Sequence, residues 1–189
     1  MPVWGWVLLA VAAVVVVVAV AVAVRATSMR NRTERLKQHF GPEYERAVGE
    51  AGEQRAAEDE LIARERKRKK LDIVPLSVEA QSRYASDWRA VQTAFVDNPS
   101  GAVGEADRLV TQVMRERGYP IDDFDQRAAD ISVDHPTVVE DYRAAHGIYL
   151  MQERGDIGTE EQREAFVHYR ALFEKLLETE KDKPKEARA

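Results

Sequence analysis

Hydrophobic positions fall into three regimes along this chain. Residues 3–24 read VWGWVLLAVAAVVVVVAVAVAV, a run of 22 without one charged side chain. As an α-helix this run would be roughly 33 Å long, enough for a hydrocarbon core of about 30 Å. Its second half holds only valine and alanine. Valine is a mediocre helix former in water, but lipid offers an unsatisfied backbone no partner, and that overrides the preference. The pattern predicts a transmembrane anchor over 1–25. Trp4 and Trp6 would sit at one interface, where indoles are favoured, and Val24 and Arg25 would mark the other. Ala21-Val22-Ala23 also fits a leader cleavage pattern, but no cationic segment precedes the run, so the anchor is the stronger reading.

Polarity reverses after Val24. Leu36 and Phe40 share one face of a helix that continues the anchor, and Gly41-Pro42 suits a helix end followed by a helix start. From Pro42 to Lys70 the chain is rich in Glu, Ala and Arg, with sparse apolar residues (Tyr44, Val48, Leu61, Ile62) that sustain no heptads. A long, mostly solvated helical spacer is expected over 26–72.

The third regime has the periodicity of packed helices. Tyr84, Trp88, Val91 and Phe95 form one stripe, and Asn98-Pro99 then reads as a cap and first position. Val103, Ala106, Val110 and Val113 form the next face, and Ile121, Phe124, Ala128 and Ile131 mark a short helix. A helix from Pro136 would carry Val138, Tyr142, Ala145 and Tyr149. Thr159 to Gln162 matches a capping box before Phe166, Tyr169, Phe173 and Leu176. The expected fold is all-α: a transmembrane helix, a charged helical spacer, and a bundle of about five helices over 73–178. A charged, disordered tail is expected over 179–189.

Composition narrows the chemistry. There is no cysteine, so disulfides, thiolate nucleophiles and Cys-ligated metals are excluded. The four histidines form neither a His-Glu-x-x-His nor a Glu-x-x-His motif, and no phosphate-cradling glycine loop occurs. Glu164 and His168 stand four apart, a spacing that serves a surface pair as readily as a metal. Neither a cofactor nor a metal is expected, and no catalytic residue is assigned. Asp134 and His135, before Pro136, are read as a helix cap first and a ligand-binding or catalytic loop second.

Charge sets the orientation. No Lys or Arg precedes the apolar run, whereas Arg25, Arg30, Arg32, Arg35 and Lys37 follow it against Glu34 alone. The positive-inside rule places the N-terminus outside and the rest in the cytoplasm. The densest basic run, Arg64, Arg66, Lys67, Arg68, Lys69 and Lys70, contrasts with a net charge of −5 for the whole chain. It reads chiefly as the cationic end of a solvated helix. Contact with anionic lipid is the second reading, at about 1 kcal/mol per cation near the surface. Nucleic acid is not expected, because residues 73–189 carry 15 Lys and Arg against 23 Asp and Glu.

The stretches FGPEYERAV, WRAVQTAFVDNPSGAVGEADRLV, MRERGYPIDDFDQRAADISVDHPTVVEDYRAAH and HYRALFEKLL cover most of 40–177. In them the chain resembles an uncharacterised family of small single-pass membrane proteins of actinobacteria and proteobacteria. The resemblance implies a bacterial inner-membrane location and brings no catalytic residues. The expected function is a membrane-tethered adaptor that binds a protein partner or self-associates, with Trp88, Asp134, His135 and Tyr142 as candidate contacts.

Overall fold

The computed structural model describes residues 3–155 and 157–178, without side chains at 3, 5–11 and 14. The tail expected over 179–189 lies outside the described residues, as does the side chain of Trp6. Among the described residues there are eight helices and no strand, which agrees with the all-α expectation. The chain divides into two compact units, Met1–His39 and Phe40–Ala189.

The described part of the first unit lies within α1 (Val3–Phe40), whose last residue belongs to the second. Thr27 donates its hydroxyl back to Ala23 O at 3.1 Å, a bond that keeps a polar side chain satisfied on the helix itself. Among the described residues no helix is long and apolar enough to cross a membrane. Much of the expected anchor, at positions 3, 5–11 and 14, falls outside the described side chains.

The second unit contains α2 (Pro42–Ala51), α3 (Gln54–Arg68), α4 (Val78–Asp97), α5 (Pro99–Glu116), α6 (Phe124–Asp134), α7 (Val139–Glu153) and α8 (Thr159–Leu177). The last five are the bundle: α5 packs on α4 and α8, and α7 packs on α8 and α6. Local chemistry sets most of their starts. Ser77, Asn98 and Asp123 each accept a backbone N–H in the first turn of α4, α5 and α6. Trp88 is buried between Phe166 and Phe173, with ring centroids 5.0 and 4.5 Å away. Val103, Ala106, Val110, Val113, Tyr142 and Tyr169 are fully buried around it.

Three expectations are corrected. The helix read as continuous from Pro42 to Lys70 is broken at Gly52, which adopts φ +71° and caps α2 by donating to Val48 O. The two short helices form a hairpin that buries Tyr44, Ala47, Ala57 and Leu61, so the compact unit begins at Phe40 and a mostly solvated spacer up to residue 72 does not describe this segment. Pro136 lies in a turn, and α7 starts at Val139. Finally, α8 starts one residue earlier than the capping-box match implies. Gly158 is the N-cap, and Glu161 accepts its backbone N–H at 3.0 Å.

Candidate functional site: a charged cleft in the second unit

Glu43 is the second residue of α2, a position where acids usually face solvent and complement the helix dipole. Here it is fully buried. Arg46 donates to it at 2.9 and 2.7 Å, Arg64 of α3 at 2.7 Å, and Arg143 of α7 at 2.6 and 3.0 Å. Burial alone would push the Glu43 carboxyl up. The hydrogen bonds and charges of Arg46 and Arg143 outweigh it and bring the carboxyl down to about 2. Glu43 is therefore an anion throughout the physiological range, and it joins three helices.

The same arginines also take exposed acids. Arg46 pairs with Glu50, Arg64 with Glu60, and Arg143 with Glu140 at 3.1 Å. A cleft of about 510 Å³ opens over the cluster, lined by the three arginines, Glu50, Glu60, Asp123 and Asp125. Its size falls in the range of ligand and peptide pockets. Its lining alternates cation and anion.

Beside the cleft, α3 is fastened along α6. Lys67 Nζ lies 2.8 Å from the buried Asp130, which also accepts from Gln126 at 3.2 Å. Arg68 pairs with Asp134, and Asp134 accepts the Tyr119 hydroxyl at 2.5 Å. Burial and the Asp134 charge hold the Tyr119 phenol well above its ordinary pKa, so it remains a donor. Asp130 and Asp134 are one helical turn apart, as are Arg64 and Lys67 or Arg68, and the two rows face each other.

The basic run is thus divided. Arg64, Lys67 and Arg68 hold carboxylates of α2 and α6, while Arg66, Lys69 and Lys70 are exposed. A simple solvated terminus is corrected for the first three, because α2 brings Glu43 against Arg64 and α6 brings Asp130 and Asp134 against Lys67 and Arg68. Asp134 is the last residue of α6 and does not cap the helix after it. His135 follows it, and its backbone N–H closes α6 on Ile131 O at 2.8 Å. Trp88 and Tyr142 are buried and offer no surface to a partner. The Tyr142 hydroxyl accepts from Arg127 at 3.1 Å.

The histidines are placed separately. His146 stacks on Phe124 at 3.7 Å, and His168 Nδ1 lies 2.7 Å from Asp141 with Glu164 3.8 Å from its other nitrogen. Among the described residues no group of three His, Asp or Glu side chains could hold a metal. Sequence reasoning missed Glu43, Asp130 and Arg143. The one available signal was the shared four-residue spacing of the cations in 64–68 and the acids at 130 and 134. No family model, curated protein or solved structure matches this chain.

Proposed function

We propose that this chain is a non-catalytic, membrane-tethered helical module. In this reading α1 anchors it in a bacterial inner membrane with the N-terminus outside. The second unit then presents the charged cleft to a protein partner in the cytoplasm. One observation carries the tether: Val15, Val16, Val17, Val18, Val20, Val22 and Val24 are each 56–67% exposed on one helix. A helix that is apolar on every side is one that lipid or protein must cover. Covering these seven side chains is worth on the order of 10 kcal/mol in transfer free energy. The flanking cations from Arg25 to Lys37 support the orientation. Alternating charges in the cleft favour a partner segment that carries both acidic and basic side chains over a small ligand of one sign.

Alkaline carbonate extraction of membranes tests the tether. The full chain is expected in the pellet and a chain lacking 3–24 in the supernatant; a full chain that extracts overturns the anchor. A photo-cross-linking residue at Asp125 tests the partner. Adducts to a second protein that vanish when the exposed cleft residue Glu50 is replaced by Lys support the adaptor. Self-adducts alone replace it with a homo-oligomer.

A further inference from the structure

A second, smaller cavity lies at the other end of α6, away from the cleft. The corner that builds it is tightly specified. Gly118 has φ +93°, and a Cβ there would stand 2.4 Å from Asp72 O. The segment after α3 crosses this corner and donates Val74 N–H to Arg117 O at 2.9 Å. The result is a cavity of about 120 Å³ lined by Arg68, Arg117, His135 and Lys175, together with Asp134 and Glu178. It brings the Asp134-His135 turn against cations from the ends of α3, α5 and α8.

Two of these cations are matched. Arg68 has Asp134, and Lys175 Nζ has Glu178 at 2.7 Å. Arg117 differs. It donates Nη1 to Leu176 O at 2.9 Å and stands 5.9 Å from the Tyr119 ring, but among the described residues no carboxylate pairs with it, and its Nε is buried without a hydrogen-bond partner. A half-buried guanidinium with no described counter-ion is an incomplete arrangement, because the charge and the Nη donors left over from Leu176 O call for an anionic acceptor. The cavity has the volume of about four water molecules. That is too small for a drug-sized ligand and suited to one tetrahedral group.

We propose that this cavity binds a phosphate group, either free phosphate or the monoester headgroup of an anionic lipid, with Arg117 as the principal contact and Lys175 and Arg68 alongside. Phosphate oxygens would take the Arg117 donors in charge-assisted hydrogen bonds.

The test is calorimetric titration of the full chain in neutral detergent with inorganic phosphate, then with glycerol phosphate, at constant ionic strength. Saturable binding at a Kd of about 1 mM or tighter is expected. Arg117→Gln should weaken it about tenfold or abolish it, and Lys175→Gln should weaken it several-fold. Arg66→Gln, on exposed surface outside the cavity, should leave it unchanged. Tighter binding of glycerol phosphate identifies the lipid headgroup as the source, and tighter inorganic phosphate identifies the free ion. If Arg117→Gln fails to fold, because its bond to Leu176 O is lost, Lys175→Gln decides alone. No saturable binding by the wild type, or binding indifferent to the replacements that fold, overturns the proposal.

Discussion

Replacing Glu43 by Gln removes the one charge that three arginines share, and the cost can be worked from the geometry. Five hydrogen bonds end on this carboxylate, and an amide keeps one acceptor oxygen for them. Breaking a buried ion pair by removing one partner costs roughly 3–5 kcal/mol, because the remaining charges stay desolvated. The pH dependence gives an independent figure. The carboxyl falls from an ordinary 4.5 to about 2 on folding, which corresponds to roughly 3 kcal/mol. A carboxyl lowered on folding contributes stability that is fully present above its unfolded value, so this part is intact at neutral pH. It drains away as pH falls from about 4.5 to about 2. Denaturant unfolding followed by Trp88 emission, with amide exchange across 42–68, measures both effects. Glu43→Gln is expected to lose about 3 kcal/mol at pH 7 and to lack most of the wild-type decline below pH 4.5. A loss under about 1 kcal/mol, with the acid limb intact, would refute the idea that Glu43 joins α2, α3 and α7.

The two halves of the basic run should separate in the same assay. Arg64, Lys67 and Arg68 replaced together by Gln are expected to lose more than about 2 kcal/mol, after discounting the Lys67 pair for its exposure. Arg66, Lys69 and Lys70 replaced together should stay within about 0.5 kcal/mol of wild type; equal losses would mean that the pairing with α6 is not structural. Gly118→Ala should cost on the order of 3 kcal/mol from its positive φ and the overlap with Asp72 O, and a thermal midpoint unmoved by it would contradict the corner described here. Asn98→Ala should cost about 1 kcal/mol through the lost cap on Gly101 N–H, read from the same melts.

What the sequence disclosed was local. Asn98-Pro99 announces a helix start because the cap and the ring act within four residues, and the Tyr84, Trp88, Val91, Phe95 stripe needs only a helical period to be recognised. Gly52 was harder. A glycine costs a helix interior only about 1 kcal/mol, so propensity alone does not say whether the helix continues or turns. The burial of Tyr44 and Leu61 decides it, and that is a tertiary fact. Pro136 suits a first helical turn on local grounds, yet His135 and the turn that follows it delay α7 by three residues. The candidate site was the least legible part. Glu43 meets Arg143 across 100 residues, and Lys67 meets Asp130 across 63. A buried carboxylate is indistinguishable from a first-turn acid until its partners arrive.

Those separations bear on the order in which the molecule is put together. The α2–α3 hairpin leaves the ribosome well before α6 and α7, whose side chains complete it, so about sixty to a hundred residues must be made before its charges are met. Until then it has few apolar side chains to hide, and its cations and anions keep it hydrated. The α4–α8 bundle closes no sooner, because Trp88 of α4 must meet Phe166 and Phe173 of α8. The α2–α3 hairpin is thus the part of the second unit that is made first and completed only when α6 and α7 exist, and its charge-rich face lets it wait without aggregating.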